Sequence, residues 1–168
     1  VRALGAVPES CRQGDTDYVA IFETEDDIRA LTPDFAAIGR LDRTGLIATA
    51  PGSDCDFVSR YFAPAKGVDE DPVTGRAHCV LAPIWSARLK QDELDARQLS
   101  QRGGAVECRM AGDRVFLAGQ VTPFLEGMIR LEGLNRPAQP ITATPGTSGS
   151  WGGWPGLPGR PGNIPYPG

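Results

Sequence analysis

Glu70 and Asp71 stand directly before Pro72, and Thr74-Gly75-Arg76 then leads into His78 and Cys79. Carboxylic acids can give or take a proton, and backbone N–H groups at the start of a helix can hold an anion. A helix that opens at Gly75 leaves the amides of Gly75 and Arg76 pointing outward with the positive end of the helix dipole. Together these groups predict a site that grips a carboxylate and moves a proton on the carbon beside it, because donors aimed at developing negative charge stabilise a carbanion. On this reading Asp71 carries the proton, Thr74, Gly75 and Arg76 bind the acid group, and Glu70 and His78 are secondary candidates. The same residues also admit a plainer reading, in which Asp71 is a helix N-cap and Pro72 the first helical residue. His78 is then a satisfied core histidine, and Cys79 a thiol whose ionised form an apolar helix disfavours.

The elements that must position these groups are legible from the periodicity. Residues 74–88 read as a helix that is apolar nearly all round, at Ala77, Cys79, Val80, Leu81, Ala82, Ile84 and Trp85, and so is expected to be enclosed by protein. Pro83 inside it predicts a kink or an early stop near Ala82. Strands are expected over 18–22, 45–50, 56–62, 106–110, 115–117 and 122–131, with Ala111-Gly112-Asp113-Arg114 turning a hairpin. Thr24 with Asp27 caps a short helix to about Leu31, and Thr32-Pro33 starts another that ends at Gly39. Strands interspersed with few helices predict an α+β fold.

The chain has 168 residues, 40% of them hydrophobic and 23% charged, ordinary values for one globular domain. Such a length buries roughly 70% of the unfolded surface, so neither a disulfide nor a metal is needed to hold it together. A net charge of -4 with scattered Lys and Arg argues against a nucleic-acid partner. No apolar run reaches the roughly 18 residues of a membrane span and no secretion signal opens the chain, so a cytoplasmic protein is expected. Cys11, Cys55, Cys79 and Cys108 form no C-x-x-C pair and His78 is the single histidine, which favours four reduced thiols over a zinc cage. No metal or other cofactor is expected. From Val1 the reading enters strand patterning within twenty residues, as if part-way through a fold. Residues 132–168 crowd Gly and Pro without a helical or strand period, and are expected to be a disordered tail with polyproline character, in which Trp151, Trp154 and Tyr166 would suit a peptide ligand for an aromatic groove.

Several segments resemble one family. Arg60-Tyr61-Phe62-Ala63-Pro64, Glu70-Asp71-Pro72-Val73-Thr74-Gly75, Ala77-His78-Cys79 and Leu81-Ala82-Pro83 look like the C-terminal half of the PhzF-like isomerases and epimerases of phenazine biosynthesis. Residues 96–104, Gly112-Asp113-Arg114-Val115 and Gly119-Gln120 are similar to that family as well. The resemblance runs from about Ala3 to Leu131 and implies one half of a diaminopimelate-epimerase-like fold, a curved, mostly antiparallel sheet wrapped around a central buried helix. It also implies that Asp71 is the active-site aspartate, that Gly75 and the next residue bind the substrate's acid group, and that the main acid/base glutamate belongs to an N-terminal half. Arg76 stands where the family usually has Ser, and either pairs with Asp71 or a bound carboxylate, or blocks the pocket. Restoring Ser there is expected to change ligand affinity.

The expectation is therefore the C-terminal half of a cofactor-independent isomerase or epimerase acting on a small carboxylic acid, inactive without an N-terminal half. The alternative is a standalone module that binds small acids or associates with another copy of itself through its uncovered inner face.

Overall fold

The computed structural model describes residues 2–122 and 124–128. Strands β1 (Ser10–Gln13), β2 (Asp17–Ile21), β3 (Gly45–Pro51), β4 (Phe57–Ala63), β5 (Val68–Glu70), β6 (Glu93–Gln98), β7 (Gly104–Ala111) and β8 (Arg114–Ala118) form one sheet. Its order is β1-β2-β3-β4-β6-β7-β8, with β5 also pairing β4. The β2–β3 and β4–β6 pairs are parallel and the rest antiparallel. The fold is α+β, as the patterning predicts.

Alternation along the central strands sorts their side chains into two cores. On one face Val19, Ile21, Ile47, Phe57, Tyr61, Leu94 and Ala96 pack under α3 (Gly75–Leu89), which contributes Ala77, Leu81, Ala82 and Trp85. Trp85 stacks on Phe57 with ring centroids 5.7 Å apart, and its indole N–H donates to Thr49 Oγ1 at 3.0 Å. On the other face Ala20, Leu46, Ala48, Val58 and Phe62 meet Ile28 of α1 (Glu25–Arg29) and Ile38 of α2 (Phe35–Ile38). Thr24 and Asp27 form the reciprocal cap that their spacing predicts at α1. At α2 the cap is Asp34, whose carboxylate accepts the Ala37 N–H at 2.9 Å, so the helix starts later than Thr32-Pro33 suggests.

Three expectations need correction. The first concerns the early stop offered at Pro83, which does not occur, since the helix runs on to Leu89. Pro83 lies on the exposed side, where water can meet the Cys79 carbonyl that the ring deprives of its donor. Second, α3 is not enclosed all round: Ala77, His78, Leu81, Ala82 and Trp85 are buried, while Arg76, Cys79 and Pro83 are exposed. Apolarity marks both faces, and among the described residues the sheet covers only one of them. The third correction concerns 122–131, where no strand forms among the described residues, 122 and 124–128. Pro123 has no amide to give a ladder, and Phe124, Leu125 and Met128 are exposed. The chain divides at Thr122 into two units, and the tail expected over 132–168 lies outside the described residues. Among the described residues no helix is long and apolar enough to cross a membrane.

Candidate active site

The turn between β5 and α3 carries the residues singled out for chemistry. Asp71 leaves the sheet with its N–H donating to the Tyr61 carbonyl at 3.0 Å. Its carboxylate accepts the Thr74 hydroxyl hydrogen at Oδ2, so the Asp71 side chain caps no helix amide through that bond. The N-cap of α3 is Thr74, in extended backbone conformation and with no side-chain cap bond. With its hydroxyl turned back to Asp71, Thr74 leaves the first-turn amides of Gly75 and Arg76 without a side-chain acceptor from the cap. The reading of Asp71 as N-cap and Pro72 as first helical residue is therefore replaced by a loop that ends three residues later, at Thr74.

A residue with no assigned role in the sequence organises this loop. Gln98, 1% exposed at the end of β6, accepts the Thr74 N–H at Oε1 (2.8 Å) and donates from Nε2 to the Asp71 carbonyl (2.5 Å) and Thr74 Oγ1 (3.2 Å). Ser100 adds a bond from its hydroxyl to the Pro72 carbonyl at 2.8 Å. Gly104 opens β7 where a Cβ would come within 2.3 Å of Val73 Cγ2, so its bareness lets the loop sit against the sheet. One sequence signal points to Gln98. In β6 Leu94 and Ala96 point inward, and Gln98 continues that alternation as a polar group on a buried register.

The remaining candidates divide. His78 joins the turn: it is fully buried, its Nδ1 lies 2.8 Å from the Thr74 carbonyl, and burial holds it below its ordinary pKa of 6.5. Glu70 does not join it. Both its oxygens accept from Arg60, at 2.7 and 2.9 Å, and Arg60 also donates to the carbonyls of Ile28 and Leu31 on the α1 side of the sheet. Arg76 pairs neither with Asp71 nor across the turn. Its guanidinium donates to Asp17 Oδ1 (3.1 Å) and the Tyr61 hydroxyl, and lies 5.8 Å from the Tyr61 ring centroid. Asp17, at 3% exposure, is the buried carboxylate within reach, which is why it captures the cation. Tyr61 donates to the same Asp17 oxygen at 2.9 Å, and burial with that bond pushes its phenol up to about 12.

Cys79, expected inside the helix core, is exposed, as is Cys11, whereas Cys108 is buried and Cys55 partly so. Burial pushes the Cys108 thiol up to about 12. A hollow of about 460 Å³ beside α3 is lined by Cys79, Pro83, Met110 and Val115, and another of about 400 Å³ by Phe35, Arg40, Pro64 and Asp69. Residues 71–76 line neither. Among the described residues no group of three or more His, Cys, Asp or Glu side chains is arranged to hold a metal ion.

Comparison with known proteins gives this turn a context. An uncharacterized isomerase of Pseudomonas aeruginosa is 49% identical over 130 residues, covering 77% of this chain and 50% of the relative. One of Halalkalibacterium halodurans is 38% identical over 133 residues, covering 78% and 50%. The crystal structure of a phenazine biosynthesis PhzF family protein from Enterococcus faecalis superposes with a TM-score of 0.72 at 40% identity, covering 77% of this chain and 50% of that one. The chain thus spans about half the length of the relatives it matches. Residues 4–127, which include both cores and the whole turn, match the PhzC-PhzF family of phenazine biosynthesis-like proteins, and the chain belongs to that family.

Proposed function

We propose that the chain forms one wall of an isomerase active site that binds a small organic acid and relocates a proton on the carbon next to its carboxylate. The observation that carries this reading is the Asp71–Thr74–Gly75 turn, in which a half-buried carboxylate stands beside helix amides that their own cap leaves free. Its support from kinship is that similar proteins of twice the length bear the name isomerase.

On this reading the amides of Gly75 and Arg76 hold the substrate carboxylate and oppose the charge that builds up when the neighbouring C–H bond breaks. A base takes that proton, the C–H electron pair delocalises into the acid group, and Asp71 as a carboxylic acid returns a proton to carbon. Net composition is unchanged, so no oxidant or cofactor is consumed. The second acid/base is the glutamate that the family resemblance places in an N-terminal half, and the chain alone is expected to bind without turning over.

The test combines this chain with the N-terminal half of the Pseudomonas relative in deuterated water, with a panel of small unsaturated, hydroxy and amino acids. Proton NMR is expected to show C–H to C–D exchange beside the carboxylate for at least one acid, and Asp71→Asn is expected to lower its rate at least a hundredfold. Exchange that Asp71→Asn leaves intact would remove Asp71 from the chemistry. Binding without exchange in the combined protein would reduce the chain to an acid-binding module.

A further inference from the structure

Thr74 is held at each polar group it has. Its N–H donates to Gln98 Oε1, its hydroxyl donates to Asp71 and accepts from Gln98 Nε2, and its carbonyl meets two nitrogens of one residue, the backbone N and ring Nδ1 of His78. The backbone N–H of His78 donates to that carbonyl at 3.3 Å and the ring Nδ1 at 2.8 Å. The carbonyl is what aims the next amide. The peptide unit joining Thr74 to Gly75 is planar and trans, so the Gly75 N–H points opposite to the Thr74 C=O. Drawing the oxygen down the helix axis with two donors turns the Gly75 N–H out of the first turn.

The ring chemistry of His78 follows from the same contacts. A carbonyl only accepts, so Nδ1 carries the proton and Nε2 is bare. Nε2 is itself buried and has no hydrogen-bond partner among the described residues. A histidine that relays protons needs a ring nitrogen with a path to the reacting atom. Here Nδ1 is engaged by the backbone and Nε2 is enclosed, with Phe57 6.0 Å away between centroids.

We propose that His78 is a positioning residue for the acid-binding turn: its Nδ1–H fixes the Thr74 carbonyl and through it the aim of the Gly75 amide, while Gln98 fixes the other side of Thr74. This rests on the reading of residues 71–76 as the carboxylate-binding turn. Asparagine at position 78 places its amide nitrogen where Nδ1 stood and keeps the donor, whereas leucine of similar reach removes it.

The experiment uses the full chain, isotopically labelled, with malonate as the probe. Nitrogen-15 NMR of the wild-type histidine is expected to show the Nδ1–H neutral tautomer. In His78→Leu the Gly75 amide resonance is expected to move and malonate affinity to fall about fivefold, the loss expected for one backbone-directed bond. In His78→Asn both are expected to stay near wild type, with affinity within about twofold. An Nε2–H tautomer in the wild type overturns the proposal, as does a Gly75 amide that responds alike to Leu and Asn. If the amide moves only in His78→Leu while malonate perturbs no variant, positioning stands and the carboxylate reading fails. Should His78→Leu not fold, the wild-type tautomer and the His78→Asn resonance still decide the matter.

Discussion

The side chain of Arg76 shows how a cation at the start of a helix is accommodated locally. It stands in the first turn of α3, a position that the dipole disfavours. The offset comes from Asp17, buried at the start of β2, whose carboxylate without Arg76 would keep only hydroxyl partners among the described residues: Tyr61 at 2.9 Å and Thr16 at 2.7 Å. Removing one partner of a buried pair costs about 3–5 kcal/mol, but exposed pairs contribute under about 1 kcal/mol, and the Arg76 side chain is 44% exposed. Arg76→Ser is therefore expected to destabilise the fold by about 1–2 kcal/mol in urea denaturation, and adding Asp17→Asn to recover at least half of that. Equal stability of wild type and Arg76→Ser would show that the pair contributes nothing. His78 gives a second residue-scale prediction, this time against pH. Burial depresses its folded pKa below the ordinary 6.5, so in acid the unfolded chain binds a proton that the folded one refuses. Its contribution is complete above pH 6.5 and is lost as pH falls below that value, by at most about 1.4 kcal/mol per pH unit, until the folded pKa is reached. Unfolding free energies of wild type and His78→Asn between pH 4.5 and 7.5 are expected to converge toward acid, and parallel curves would contradict the burial argument.

At the scale of elements, what the sequence reveals depends on whether a signal is local. The β7–β8 hairpin, the Thr24–Asp27 cap and the strands over 45–50 and 56–62 follow from turn chemistry and alternation, and they form as read. Asp71, Thr74, Gly75 and His78 stand out because they fall close together in one short stretch. Gln98 and Asp17 escape notice because their partners lie 24 and 59 residues away, at Thr74 and Arg76, and only the folded sheet brings them together. The all-round apolarity of α3 misleads for a related reason: composition counts faces, and does not say which neighbour covers each. Docking of the 71–76 loop onto β6 and β7 is the element-scale device, and Gly104 is where it is least tolerant. A Cβ at 104 would sit 2.3 Å from Val73 Cγ2, a branched side chain whose one preferred rotamer leaves it little room to yield. Gly104→Ala is expected to lower stability by about 1–3 kcal/mol, the usual range for overpacking. Adding Val73→Ala should return most of it, because the methyl that collides is then gone. A thermal melt of Gly104→Ala that matches wild type would mean that the loop sits looser on the sheet than the contacts indicate.

For the whole molecule the open side of α3 is the informative surface. The helix buries one side under the sheet, while Cys79 and Pro83 on the other side look into the hollow they share with Met110 and Val115. Val80, Ile84, Val115 and Leu117 are only partly buried beside it, a composition suited to being covered. Relatives about twice as long offer a candidate cover, and the proposed active site needs a second wall against the same helix. Thiol labelling reads this directly, since Cys79 and Cys11 are both exposed in the chain as it stands. Cys11 lies in β1, at the edge of the sheet, on an element that makes no part of the proposed wall. Mixed with the N-terminal half of the Pseudomonas relative, Cys79 is expected to react with a charged thiol reagent at least tenfold more slowly, while Cys11 keeps its rate. Single Cys→Ser variants assign each rate to its thiol. Unchanged labelling of Cys79 in a mixture shown by sedimentation to have associated would place the contact elsewhere, and the turn at 71–76 would then lack the opposing wall on which proton transfer depends.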